Sequence, residues 1–158
     1  PFAGQCEEGV PAPHFTLADQ DCNDVSLDDF VGQHLILYFY PRDETPGCTK
    51  EACAFRDIWS EIEGENAVVL GISPDSSASH RRFADNHSLP FTLLSDPDKK
   101  MMEAYGAWGE KMMYGKKRVG VIRSTVWVGP DQHVVRHWRR VPNAAQHPEK
   151  VLEALREG

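Results

Sequence analysis

The run Leu35-Ile36-Leu37-Tyr38-Phe39-Tyr40 constrains this chain more than any other segment. It is unbroken, apolar and rich in β formers, the pattern of a strand buried on both faces rather than on one. Pro41 stops it, because proline has no N–H to give to a ladder. Shortly after, Thr45-Pro46 signals a helix start, with a capping residue followed by proline at the first helical position. A strand covered on both faces that hands over to a helix belongs to an α/β architecture, a mixed central sheet flanked by helices. Ligands in such sheets bind where strand gives way to helix.

The rest of the chain fits that frame. Residues 15–18 and 25–27 read as an N-terminal hairpin around the turn Gln20-Asp21-Cys22-Asn23. The helix begun at Thr45 continues through an apolar stripe, Ala52, Phe55, Trp59 and Ile62, to Gly64. Residues 68–72 form the next buried strand, 76–86 a helix opened by Ser76, 91–94 a strand and 97–105 a short helix. Residues 106–120, rich in Gly, Lys and Met, read as a loop. A hairpin follows over 121–128 and 133–141, then a closing helix over 149–156. No repeat or linker interrupts the chain, so residues 1–158 are expected to form a single domain.

Charge narrows the function. The net charge of −7 repels phosphate, which disfavours nucleic acid and anionic membranes as partners. The basic cluster from Lys111 to Arg123 holds only five basic residues and reads as a solvated loop, Arg123 excepted. No apolar run approaches the ~20 residues of a membrane span. A cytoplasmic protein is expected, with targeting left open because the sequence opens on Pro1.

The four cysteines, Cys6, Cys22, Cys48 and Cys53, are too few for a disulfide scaffold in a chain of this size. Cys48 falls in the first turn of the expected helix. Free N–H groups and the positive end of the helix dipole favour a thiolate there. Lys50 is expected to face solvent. Arg123 has apolar neighbours, and an inward strand position would hold its charge against the site. A buried arginine needs an anionic partner, and a thiolate would serve. In an ideal helix, Cα atoms five residues apart are about 8.6 Å apart and about 140° apart around the axis. A disulfide needs roughly 7 Å or less. If Cys48 and Cys53 bond, the first turn must therefore unwind. Cys6 and Cys22 lack helix-terminal context and read as inert buried residues. Half of a zinc site is the weak alternative for the Cys48/Cys53 pair, since no compact Cys/His set completes four ligands. The histidines are expected at the surface and the methionines in packing or loops.

Pro41-x-x-x-Thr45-x-x-Cys48 resembles the active-site motif of the peroxiredoxins. The longer string from Tyr38 through Asp57, with Gly71-Ile72-Ser73, Leu93-Leu94-Ser95-Asp96 and Arg123-Ser124-Thr125, resembles their bacterioferritin comigratory, or Q-type, branch. The resemblance implies a thioredoxin-like fold and reduction of hydrogen peroxide and organic hydroperoxides. It implies Cys48 as the peroxidatic cysteine, Cys53 as the resolving one, and a Cys48–Cys53 disulfide recycled by thioredoxin or a similar dithiol. Thr45 and Arg123 would bind peroxide and activate the thiolate, Pro41 would shield the site, and Glu51 would support Arg123. No metal, haem, flavin or nucleotide is implied, and a monomer is. Cys22 and Trp127 depart from the branch's usual residues, outside the motif. Two other readings remain. A thioredoxin-like disulfide oxidoreductase would carry Cys-x-x-Cys, which this chain lacks. A non-enzymatic redox sensor would share the chemistry and differ in turnover.

Overall fold

The computed structural model describes residues 7–158, apart from the side chain of Met113. Cys6 lies outside the described residues. Nine strands and five helices follow one another as β1 (Thr16–Asp19), β2 (Asp24–Ser26), β3 (His34–Phe39), α1 (Pro46–Asp57), α2 (Trp59–Gly64), β4 (Ala67–Ser73), α3 (Ser77–His87), β5 (Thr92–Ser95), α4 (Lys100–Ala104), β6 (Trp108–Met113), β7 (Lys116–Val121), β8 (Ser124–Val128), β9 (Val134–Trp138) and α5 (His147–Glu157), counted among the described residues.

Seven strands form one mixed sheet in the order β2-β1-β5-β4-β3-β8-β9. β3 pairs parallel with β4 and antiparallel with β8, so it has ladders on both edges as well as cover on both faces. Its alternate residues serve two cores. Ile36, Tyr38 and Tyr40 face the side packed by α1, α2, α3 and α5. Leu35, Leu37 and Phe39 face the side closed by α4 and the N-terminal segment. That two-sided burial is why the run is apolar throughout.

Tyr38 couples α1 to the sheet. Its ring stacks on Phe55 of α1 with centroids 4.8 Å apart and on Tyr40 at 5.4 Å. It fits because β4 carries glycine opposite it. A Cβ at Gly71 would sit 2.7 Å from the Tyr38 ring, closer than carbon atoms tolerate.

The structure corrects several expectations. The long helix is two helices, because Ile58 leaves helical geometry at φ −113° and ψ 16°. Hydrophobic periodicity reports which face is inward, and a one-residue break leaves that face unchanged: Ala52, Phe55 and Ile62 are all buried. The short helix at 97–105 contracts to α4, entered through left-handed Lys99 (φ 61°). The basic loop at 106–120 is the β6–β7 hairpin. It turns on Tyr114-Gly115, with φ of 53° and 77°, a two-residue primed turn without the usual Asn-Gly signal. The strand expected over 121–128 is interrupted. Val121 ends β7, β8 begins at Ser124, and Arg123 lies between them. β8 can extend no further back, because its partner β3 ends opposite Ser124, at Phe39.

Two histidines expected at the surface are buried, His80 in α3 and His147 in α5. Each has hydrogen-bond partners that make burial tolerable: His80 with Asp43 and Leu94, His147 with Thr125 at 2.8 Å. Cys22, expected to be buried, is exposed in the β1–β2 turn with φ 63°. That turn joins the edge strand β2 to its neighbour β1, and β5 and β4 separate β1 from β3. Trp127 is buried, and its indole N–H donates to His34 Nδ1 at 3.1 Å.

Candidate active site

The loop Pro41–Thr45 carries the chain from β3 into α1. Thr45 is the cap residue by backbone (φ −83°, ψ 154°) and Pro46 follows inside the helix. The Thr45 side chain does not cap, contrary to expectation; its hydroxyl donates to the Arg42 carbonyl at 2.9 Å. The backbone ladder begins with Thr49 N–H to Thr45 O. The amides of Gly47 and Cys48 precede that ladder and belong to the electropositive end of the helix.

Cys48 is buried, and Arg123 reaches it. Arg123 Nη2 donates to Cys48 Sγ at 3.1 Å, while Nη1 donates to Glu51 Oε1 at 2.7 Å. Cys48 and Glu51 are one turn apart on α1 and share a face, so a single guanidinium fork serves both. Glycine at 47 lets it pass, since a Cβ there would lie 3.3 Å from Nη2. The sequence assigns Arg123 an inward strand position; it lies instead in the break before β8. Its own carbonyl accepts from Val141 N–H at 3.0 Å, which fixes the break against the chain after β9.

The electrostatics of the trio are uneven. Glu51 is wholly buried, and burial raises its pKa to about 7 against the opposing pull of Arg123. Burial also works against the Arg123 charge, but Glu51 and then Cys48 outweigh it and hold its pKa above the ordinary value. Glu51 Oε2 has no hydrogen-bond partner among the described residues. Cys53 is half-buried on α1 and, like Cys48, is a free thiol. Lys50 faces solvent, as expected.

An open cleft of about 770 Å³ runs up to this trio, its walls including Pro41, Arg123, Met112, Val121, Ile122 and Arg140. Arg123 belongs to both features, since it lines the cleft and touches Cys48. The hairpin residues Lys111, Met112 and Lys117 on the cleft wall were invisible as site residues while 106–120 read as a loop.

Sequence reasoning also missed a second polar cluster. Asp43, Asp75 and His80 lie close enough to hold a cation. Their atoms are already engaged with one another and with neighbours. Asp43 accepts from Tyr40 and Ser79 and pairs with His80, while Asp75 accepts from Ser73 and the Asp43 amide. The cluster is therefore a hydrogen-bond network. The signal available for it was Asp43 inside a motif whose other members carry chemistry.

The family model described as the AhpC/TSA family matches residues 9–137. The chain belongs to the AhpC/TSA family. Within it, the chain is 39% identical to peroxiredoxin Bcp of Bacillus subtilis over 151 residues, covering 96% of each protein. It superimposes on the bacterioferritin comigratory protein of Xanthomonas campestris, whose alkyl peroxide reduction has been studied structurally, with a TM-score of 0.85 and 37% identity over 90% of each chain. For a PrxQ variant of Xylella fastidiosa the TM-score is 0.90, with 35% identity over 96% of each chain. The fold is thus thioredoxin-like, and the chain is a peroxiredoxin of the Bcp/Q type, a thiol-dependent peroxidase. Among the described residues no helix is long and apolar enough to cross a membrane.

Proposed function

We propose that Cys48 is the peroxidatic cysteine and that the substrates are hydrogen peroxide and organic hydroperoxides. The observation that carries this reading is the 3.1 Å contact between Arg123 and the buried Cys48 sulfur at the start of α1. The Cys48 thiolate attacks one peroxide oxygen and the O–O bond breaks. The sulfur becomes a sulfenic acid, and the departing oxygen takes a proton and leaves as water or an alcohol. Arg123 and the Cys48 amide are the donors for the charge that moves onto the leaving oxygen, and the Thr45 hydroxyl joins them by turning away from the Arg42 carbonyl. Pro41 on the cleft wall excludes water from the sulfur. Glu51 aims the guanidinium.

Cys53 is the resolving thiol in this proposal. Both cysteines lie on α1, so their Cα atoms are about 8.6 Å apart in regular geometry. The start of the helix unwinds, the Cys53 sulfur displaces hydroxide from the sulfenic acid, and water leaves with the Cys53 proton. Thioredoxin or a similar dithiol then reduces the disulfide by exchange. The apolar walls and basic rim of the cleft support alkyl hydroperoxides beside hydrogen peroxide, as does the alkyl peroxide reduction of the Xanthomonas campestris protein. We place this activity in the cytoplasm, in a monomer whose 158 residues act as one domain. The test is peroxide-dependent turnover with thioredoxin and its reductase, comparing hydrogen peroxide with an alkyl hydroperoxide. Turnover with neither substrate would overturn the proposal.

A further inference from the structure

We propose that Asp43 is a positioning residue for peroxide reduction: with His80, Tyr40 and Ser79 it locks the Pro41–Thr45 loop to α3, and so sets where Pro41 and Thr45 stand over Cys48. The proposal rests on the peroxidase reading of Cys48.

Asp43 is the middle residue of that loop and is buried. Its carboxylate meets three polar groups. Tyr40 Oη donates to Oδ1 at 2.6 Å, Ser79 Oγ donates to Oδ2 at 2.8 Å, and His80 Nδ1 lies 2.7 Å from Oδ2. The Asp43 amide donates to Asp75 Oδ2 at 2.7 Å. Four hydrogen bonds on one residue leave it little freedom. Pro41 and Thr45 each lie two residues away, and two residues of chain span at most about 7 Å. A shift at Asp43 therefore passes to both with little slack.

Proton bookkeeping shows what binds Asp43 so firmly. His80 Nε2 faces the Leu94 carbonyl at 2.9 Å. A carbonyl only accepts, so Nε2 carries a proton. Nδ1 faces a carboxylate oxygen that already accepts from Ser79, so a proton lies on that line too. The His80–Asp43 hydrogen bond is dry on both sides, with side-chain exposures of 0% and 2%. A hydrogen bond shut off from water is stronger than the same bond in solvent. The rest of the loop shows the same design. Glu44 adopts φ 63°, unfavourable for a residue with a side chain. Its carboxylate is held by Asn86 Nδ2 and by His87 Nε2 at 2.7 Å, at the far end of α3. One helix thus grips two consecutive residues of the active-site loop, at Ser79/His80 and at Asn86/His87.

The experiment compares two reactions of Cys48 in the full chain. Oxidation by hydrogen peroxide needs a positioned peroxide. Alkylation by iodoacetamide, followed by mass spectrometry at Cys48, needs only the thiolate. For Asp43→Asn we expect the second-order rate constant for peroxide to fall at least about tenfold, as misplacement near reacting atoms does. The alkylation rate should stay within about twofold, with an unchanged circular dichroism spectrum. Equal loss in both reactions, or loss in neither, overturns the proposal. Ser79→Ala, which deletes one bond to Oδ2, covers the case in which Asp43→Asn does not fold. It should slow peroxide oxidation about two- to fivefold and leave alkylation alone, and an unchanged peroxide rate overturns the proposal. If the wild-type protein itself alkylates but does not react with peroxide, the peroxidase reading fails instead.

Discussion

Two buried polar clusters flank the start of α1, and they are built differently. Around Asp43 and His80 every polar side-chain atom has a partner, at Tyr40 just after β3, on α3 and on β5. Around Arg123 the account stays open. Glu51 leaves Oε2 unpartnered, and the third member of the trio is a sulfur, a weak hydrogen-bond acceptor unless ionised. A fully paired network in a low-dielectric interior is rigid and costly to disturb. An underpaired one keeps bonding capacity for a ligand and yields more easily. The difference assigns roles: the closed cluster anchors the loop before α1, and the open one binds, reacts and lets go when the helix unwinds.

The sharpest way to break this contrast is at the open cluster itself. Cys48→Ser should abolish peroxide reduction, because a serine hydroxyl is not ionised at neutral pH; measurable turnover in a coupled assay would remove Cys48 from its role. Arg123→Ala comes next. It removes a fixed charge and two donors, and the rate constant for peroxide should fall about 10²–10³-fold. Arg123→Lys should recover only part of the rate, because one ammonium cannot span Cys48 and Glu51 as the planar fork does. An Arg123→Ala protein with wild-type kinetics would show that the short contact carries no chemistry.

Resolution separates the clusters in a second way. Cys53→Ser should still undergo the first oxidation but lose thioredoxin-supported cycling, and cycling at the wild-type rate would transfer the resolving role to another cysteine. In the wild-type protein, oxidation should raise amide exchange across residues 45–55. Residues 40–44, tied to α3, should stay protected, and so should the end of α1, where Arg56 donates to the His87 carbonyl at 2.8 Å. Equal protection of the whole stretch in both redox states would contradict the unwinding argument.

The smallest effects are on stability against pH. Native Glu51 keeps its proton up to about pH 7 and the unfolded chain releases it near 4.5, so this group makes stability fall as pH rises across that window. The total change across it is on the order of 3 kcal/mol, and Glu51→Gln should remove it, as denaturant melts at several pH values would show. His147 acts with the opposite sign. Burial, with Lys150, Arg123 and Arg136 nearby, lowers its pKa to about 4, so protonation on unfolding erodes stability as pH falls from 6.5 towards 4. His147→Gln should flatten that acid limb. A Glu51→Gln protein with the wild-type pH profile would mean that the open cluster is better compensated than its geometry shows.

Much of this was legible in the chain because the signals are local. A continuous apolar run, a proline, a cap residue and a second proline define β3, the turn and the start of α1 through backbone sterics and hydrogen-bond supply alone. They place Cys48 in a first helical turn whatever surrounds it. Five-residue spacing keeps Cys53 out of reach by helix geometry. Arg123 could be picked out as a charge among apolar neighbours, though not where it stands, because the end of β8 depends on where β3 stops offering partners. The hairpin over 108–121 was hidden because its turn lacks the common residues and its strands are dressed in lysines. The anchoring cluster was hidden for a different reason. Asp43 and His80 are 37 residues apart, and neither alone differs from a surface residue. Only the packing of α3 across the sheet removes water from both, and turns an ordinary aspartate and an ordinary histidine into a buried hydrogen-bonded pair.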